Sequence, residues 1–244
     1  MRISVALTLA AAVAAASCSG VFRQYEYEED LYLSLDGTAT LYVNSSIAAL
    51  DALRGATLDP SPAAAIDRAA VREYFSAPFA HVTGRVATSR RSGRRFVHVR
   101  IDVDDVRSLG QMAPFTWSTY EFTRQGDQYK YQQTIGASAA GPMPAARWTG
   151  REIVAFRLHL PSKITFHNAG TGNMRRGNIL VWEQNLAERL RGAPLCLEAR
   201  METESILYRT VLLFGATFLA VAITFVVIIW RILRRGASEE KRAA

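Results

Sequence analysis

The chain contains little cysteine and little lysine. Only Cys18 and Cys196 occur among 244 residues, which excludes the disulfide framework of a small secreted scaffold. The sequence has no zinc-ligand spacing, no CxxC pair and no glycine-rich phosphate loop. Lysine supplies only Lys130, Lys163 and Lys241 of the 29 basic residues. Because such a bias towards arginine is typical of GC-rich coding, the net charge of +7 is weak evidence for any partner.

The N-terminus has the features of an export signal. Arg2 precedes an uncharged apolar run, residues 3–16, which is too short to span a bilayer and is followed by small residues. Two cleavage sites fit this pattern. A bacterial lipobox ending at Cys18 would make residues 1–17 the signal peptide and Cys18 the acylated first residue. Ordinary A-x-A cleavage would instead release Ser17 and leave Cys18 as a spare thiol.

A second apolar run lies near the C-terminus and has no charge over twenty residues. At about 1.5 Å per residue it covers roughly 30 Å, the thickness of a hydrocarbon core, so we predict a transmembrane helix over residues 207–232. The tail, residues 233–244, is basic, and positive charge favours the cytoplasmic side. Together with the export signal, this predicts that residues 18–206 lie outside the plasma membrane.

The exported region has the pattern of an α+β domain built from antiparallel β-hairpins, with two short helices. In the first hairpin, apolar residues alternate on both sides of Asp36-Gly37, and a three-residue turn would place Leu33 opposite Leu41. Ser45 or Ser46 can cap a helix over residues 47–54, which Gly55 would end. Pro62 is expected to open the second helix, which runs through Phe75.

Two further hairpins are expected after these helices. A two-residue turn at Ser92-Gly93 places Val86 opposite Val99, Val82 opposite Val103, and Arg85 opposite Arg100. A turn at Gln125-Gly126 pairs Phe122 with Tyr129 in an aromatic ladder, which we interpret as core, although such rings can also stack on sugars.

The last third of the exported region begins at a small-residue, Gly- and Pro-bearing stretch, 137–150, which is a candidate boundary within the domain. Two strands around a polar loop and one last strand follow it. In that last strand Leu197 is expected to face inwards and Cys196 outwards, as an incidental thiol.

The arginines of the second hairpin are the candidate binding site. They are either solvent-facing turn residues, which discourage aggregation of strand edges, or a patch that binds an anionic lipid head group or an acidic polysaccharide. Nucleic acid is not expected as a partner because an exported domain rarely meets it. The six candidate residues are Arg85, Arg90, Arg91, Arg94, Arg95 and Arg100.

The acidic cluster D-V-D-D is interpreted as helix capping by Asp104 and Asp105, in preference to a metal site. No metal and no cofactor are expected. An envelope enzyme would need the four histidines to converge with carboxylates, and the hairpin pairing offers only His81 facing Asp104.

Residues 160–182, LPSKITFHNAGTGNMRRGNILVW, combine a short strand after Leu-Pro, an Asn- and Gly-rich turn and a strand ending in Trp. With the lipobox, the opening hairpin LDGTATLYV, two helices and one C-terminal span, this pattern resembles the LppM-like family of bacterial envelope lipoproteins. The resemblance covers residues 18–232. It implies an α+β extracytoplasmic domain and no enzymatic activity that can be carried over.

We therefore expect a non-catalytic, membrane-anchored envelope protein that binds a lipid, a glycoconjugate or a protein partner outside the plasma membrane. The alternatives are an accessory subunit of a membrane complex and an envelope enzyme.

Overall fold

A computed structural model describes residues 23–138, 148–170, 174–175 and 178–243. The export signal and Cys18 lie outside the described residues, so cleavage and acylation stay predictions. Most of the candidate boundary at 137–150 lies outside them as well.

The described residues form two β-sheets that pack against each other. The seven-stranded sheet has the order β3-β4-β2-β1-β7-β10-β9, and the four-stranded sheet has the order β5-β6-β11-β8. The strands are β1 Gln24–Leu33, β2 Ala39–Ser46, β3 Ala80–Arg91, β4 Arg94–Val103, β5 Ser118–Gln125, β6 Gln128–Ile135, β7 Glu152–His159, β8 Ser162–His167, β9 Met174–Arg175, β10 Ile179–Asn185 and β11 Leu195–Ser205.

One apolar core fills the space between the sheets. Leu31, Leu41 and Phe156 of the larger sheet lie in the same buried cluster as Tyr131 and Leu197 of the smaller one. Alternation along each strand explains this arrangement, since successive side chains point to opposite faces. The helices are α1 Ile47–Arg54, α2 Arg68–Tyr74, α3 Leu186–Leu190 and α4 Ile206–Ala243, with 3₁₀ helices at Val106–Gln111 and Ala113–Phe115. The predicted α+β class is confirmed.

The first helix is confirmed at both ends. The Ser46 hydroxyl accepts a hydrogen bond from the Ala49 N–H at 3.1 Å, and Gly55 ends the helix at a φ of 69°. The second helix is much shorter than predicted, because it begins at Arg68, after the cap residue Asp67, and not at Pro62. The Asp67 carboxylate accepts from the N–H groups of the first turn and thereby fixes the start of α2.

Strand register differs from the expectation in all three predicted hairpins. In the first, Leu31 and not Leu33 lies opposite Leu41, because a five-residue loop joins the strands. In the third, Phe122 lies opposite Tyr131 because the turn is at residues 126–127. The Phe122 and Tyr129 rings nevertheless stack, with centroids 5.0 Å apart.

The second hairpin has the predicted two-residue turn and the predicted register near its tip, where Ala87 lies opposite His98. A bulge between Thr83 and Ala87 then shifts the pairing by two residues, so that Val82 lies opposite Ile101 and not Val103. Gly84 lies in this bulge at a φ of 68°, a conformation that glycine adopts without strain. His81 consequently lies opposite Asp102 and not beside Asp104, which removes the one histidine–carboxylate pair expected from the sequence.

The assembly is not purely antiparallel, as the hairpin series suggested. Strands β1 and β7 pair in parallel, and Tyr32 lies opposite His159. Strands β8 and β10, which precede and follow residues 168–178, belong to different sheets, since β8 pairs with β11 whereas β10 pairs with β7.

The last helix, α4, continues directly from the end of β11. Its segment Ile206–Ile232 has a mean hydropathy of 2.8, none of its most apolar stretch is buried against the domain, and it is long enough to cross a membrane. Its first N–H, of Ile206, donates to the Pro161 carbonyl at 3.1 Å, so the helix starts where β7 ends.

Candidate functional site

The candidate site is the tip of the β3–β4 hairpin. Ser92 and Gly93 form its turn with φ angles of 51° and 74°, the left-handed pair that a tight hairpin turn requires. Arg91 then lies opposite Arg94, and Arg90 lies opposite Arg95. Because side chains alternate along a strand, these two pairs point to opposite faces of the sheet.

The pair on the outer face is engaged by the protein itself. Arg94 forms ion pairs with Glu26 at 2.9 Å and Glu152 at 3.6 Å, and its side chain is largely buried. Arg91 donates to the Tyr25 carbonyl, and its guanidinium lies 4.4 Å from the centroid of the Phe96 ring. The expectation that all tip arginines face solvent is therefore wrong for Arg94, which fixes the N-terminal part of β1.

The pair on the inner face lies beside a cleft. Arg95 is only 4% exposed, and its Nη2 donates to the Asp59 carbonyl. Its Nε and Nη1 have no hydrogen-bond partner among the described residues. The solvent-facing interpretation is thus wrong for Arg95 as well. Arg90 is exposed, and across the cleft Arg68 donates to the Thr88 hydroxyl at 3.4 Å.

Two adjoining cavities make up this cleft, which lies between the hairpin and residues 57–70. The larger is about 500 Å³ and is lined by Arg68, Arg90 and Arg95. The smaller is about 230 Å³ and shares Arg95 and Ile66 with the larger one. Small-molecule sites commonly measure about 300–1,000 Å³, so the larger cavity alone is of that size.

The remaining two candidate arginines lie outside the cleft. Arg85 is exposed within the bulge and makes no hydrogen bond or ion pair with any residue that the structure describes. Arg100 lies on the outer face, 3.2 Å from Asp102. The six arginines therefore do not form one patch. Arg68 lines the cleft together with Arg90 and Arg95, and no sequence pattern indicated that it would. The burial of Arg95 could have been predicted, because the two-residue turn places Arg95 on the same strand face as Val97 and Val99.

The hairpin tip and the start of α4 lie at opposite ends of the larger sheet. Strand β4 runs from Arg94 at the tip to Val103, nine steps that amount to about 30 Å at 3.4 Å each. Val103 lies opposite Ala39, and Ala39 lies opposite Leu33, the last residue of β1. That end is level with the end of β7, where α4 begins.

The histidines do not form a catalytic arrangement with the expected carboxylates. His98 contacts the Ser89 hydroxyl at 2.8 Å and the Asn44 side-chain oxygen at 2.9 Å, and burial lowers its pKa. The His159 ring stacks on Tyr32 at 3.7 Å between centroids, and burial lowers its pKa too. The described part of the chain contains no group of three His, Cys, Asp or Glu side chains that could hold a metal ion.

Two predictions about individual residues outside the cleft are confirmed. Cys196 is an exposed free thiol on β11, and Leu197 beside it is buried. The Asp105 carboxylate caps the 3₁₀ helix that begins at Val106, as expected of the acidic cluster.

The chain matches no protein-family model, and no curated protein is similar to it. Among solved structures, the folded domain of the Mycobacterium tuberculosis LppM protein, determined by NMR, is a neighbour with a TM-score of 0.40 and 12% identity. The match covers 75% of this chain and 94% of that one. A similarity this low does not establish a shared family, so the LppM-like assignment stays a prediction.

Proposed function

We propose that this is a single-pass, non-catalytic membrane protein whose outer domain binds an anionic glycoconjugate at the end farthest from the membrane. The observation that carries the proposal is the position of the arginine cleft about 30 Å from the start of the apolar helix. The orientation, with the domain outside and the basic tail inside, is part of the same proposal.

Charge supports an anionic ligand. The accessible groups at the cleft include Arg68 and Arg90, and Arg85 is exposed farther along the same hairpin; neither Arg85 nor Arg90 is neutralised by a carboxylate of the described residues. Guanidinium groups bind carboxylates and phosphates through paired hydrogen bonds, which suits them to acidic polymers.

Distance argues against the head groups of the protein's own bilayer as the ligand. Electrostatic attraction to an anionic membrane surface decays within a Debye length, about 8 Å at physiological salt. An upright domain holds its arginine cleft several Debye lengths away from that surface. A glycoconjugate that extends from the envelope can reach the cleft at this height.

The contacts of His98 test the non-catalytic part of the proposal. Its ring lies between the Ser89 hydroxyl at 2.8 Å and the Asn44 side-chain oxygen at 2.9 Å, which is the hydrogen-bond order of a nucleophile, a base and an orienting group. The proposal therefore expects no hydrolytic activity of the chain that Ser89→Ala removes, and such an activity would contradict it.

The proposal is tested with the full chain in nanodiscs of neutral lipid, titrated with an acidic polysaccharide such as polygalacturonate and with neutral dextran. Replacing Arg68, Arg85 and Arg90 by Gln should weaken polygalacturonate binding about a hundredfold, if each contact is worth about 1 kcal/mol. Dextran should not bind.

A control removes the same number of charges at the membrane-proximal end, by changing Arg107, Arg124 and Lys163 to Gln. This variant should bind polygalacturonate as the unchanged protein does. Equal losses in both variants would mean that only net charge matters, which contradicts the proposal. Salt-sensitive flotation with anionic vesicles, abolished by the first variant alone, would replace the glycoconjugate with a membrane surface.

A further inference from the structure

The guanidinium of Arg95 forms no ion pair with a carboxylate of the described residues, and its side chain is almost fully buried. The pKa of Asp59 is lowered by its hydrogen bonds with Ser61 and, to a smaller degree, by the charge of Arg95, although the two groups do not reach ion-pair distance. Of the Arg95 donors, only Nη2 is used, by the Asp59 carbonyl. Buried donors left without a partner are costly, and a buried charge is more costly still.

The other two buried arginines of the described residues share this property only in part. Arg54 has one unused nitrogen, Nη1, but it forms an ion pair with Glu29, and its guanidinium lies 3.4 Å from the centroid of the Trp117 ring. Arg189 forms no ion pair and its Nε is unused, but both its terminal nitrogens have acceptors, the Gly136 carbonyl and the Gln184 side chain. Arg95 differs from both because its side chain lines an open cavity.

The Arg95 side chain lies at the cleft. It lines both the 500 Å³ and the 230 Å³ cavities. Two hydroxyl groups, of Thr88 and Ser89, and the guanidinium of Arg90 line the larger cavity with it. Asp59 lies nearby, but its carboxylate already accepts from the Ser61 N–H at 2.8 Å.

From this arrangement we infer that Arg95 is the floor of an oxyanion site that takes one phosphate or carboxylate group of a ligand. Nη2 carries two hydrogens and the Asp59 carbonyl uses one, so one bidentate fork of the guanidinium remains whole. Such a fork matches two oxygens of a phosphate or a carboxylate. This inference rests on the proposed function, since it names the ligand group that enters the cleft.

The test is calorimetric titration of the full chain in a nonionic detergent with inorganic phosphate and with acetate, at constant ionic strength kept by chloride. The unchanged protein should bind at least one of the two oxyanions, and Arg95→Gln should weaken that binding at least tenfold. Arg100→Gln is the matched control, because Arg100 belongs to the same hairpin, lies on its outer face and lines neither cavity; it should change the affinity less than twofold.

A second variant covers the case in which Arg95→Gln does not fold. Ala65 lines both cavities, and Ala65→Leu places a larger apolar side chain in the cleft while it keeps Arg95, so it should also weaken oxyanion binding at least tenfold. Absence of binding by the unchanged protein, or binding that survives Ala65→Leu, would overturn the inference. Polysaccharide binding that persists while small oxyanions do not bind would leave the proposed function standing and refute only the oxyanion site.

Discussion

Removing the carboxylate of Glu29 should destabilise the domain more than any surface substitution. Glu29 and Arg54 form an ion pair between the two sheets and are 4% and 3% exposed, respectively. The Tyr27 hydroxyl donates to Glu29 at 2.6 Å and accepts from Arg54 at 2.8 Å, and burial raises the pKa of Tyr27. Glu29→Gln would leave the Arg54 charge buried without an anion.

Breaking a buried pair in this way costs about 3–5 kcal/mol, a large part of the 5–15 kcal/mol that stabilises a typical domain. With a urea m-value of about 2 kcal/mol/M, the unfolding midpoint should fall by about 2 M. Urea unfolding of the full chain in detergent, followed by tryptophan fluorescence, measures this shift. Glu198→Gln serves as the control, because the Glu198–Arg200 pair is exposed and worth under about 1 kcal/mol.

A further variant separates the charge effect from packing. The double change Glu29→Leu with Arg54→Met removes both charges and keeps similar volumes, so most of the lost stability should return. A midpoint shift below 0.5 M for Glu29→Gln, at about 2 kcal/mol/M, would refute the reasoning, since it would mean that Arg54 does not depend on this carboxylate.

Three other perturbations test separate parts of the molecule. Burial raises the pKa of Asp51 to about 6, so the folded chain holds a proton that the unfolded chain releases at lower pH. Stability should therefore fall as the pH rises from about 4 to 6. In urea unfolding, Asp51→Asn should be more stable than the unchanged protein by about 2 kcal/mol at pH 7.5, and no more stable at pH 3.5. Arg72 donates to the Val82 and Gly84 carbonyls on the edge strand β3, so Arg72→Ala should lower stability by about 1 kcal/mol and promote self-association, seen by size-exclusion chromatography. In a chain whose exposed Cys196 is replaced by Ser, a thiol reagent that cannot cross membranes should label a cysteine introduced at Ser92 in intact cells, but not one at Ser238; the opposite result would reverse the proposed orientation.

The features that the sequence predicted correctly depend on contacts between residues close together in the chain. Helix α1 begins at a serine cap and ends at a glycine, and both signals lie within a few residues of the atoms they bond, at Ser46 and Gly55. Helix α2 was predicted too long because Pro62 is a permissive start, whereas the Asp67 side chain supplies the hydrogen bonds that determine the start.

Register and strand order were predicted less well because they depend on distant partners. The bulge at Gly84 shifts one half of the second hairpin, and a lone glycine in a strand does not say where the two extra residues go. The parallel pairing of β1 with β7 joins segments that are more than a hundred residues apart, and no local pattern encodes it. Arg68 and Arg95 lie on a helix and a strand whose packing no local pattern encodes either, so the sequence could indicate arginines but not the cleft that both of them line.

The hairpin tip shows why charge counting cannot locate a site. Arg91, Arg94, Arg90 and Arg95 are chemically identical and nearly consecutive, yet the turn at residues 92–93 sends each pair to a different face. On the outer face Arg94 meets Glu26, so its charge stabilises the attachment of β1 and is not available to a ligand. On the inner face the Arg95 guanidinium donates to the Asp59 carbonyl and forms no ion pair within the described residues, so it remains available to an anionic ligand in the cleft. Binding capacity therefore follows from which face of the sheet supplies the carboxylates.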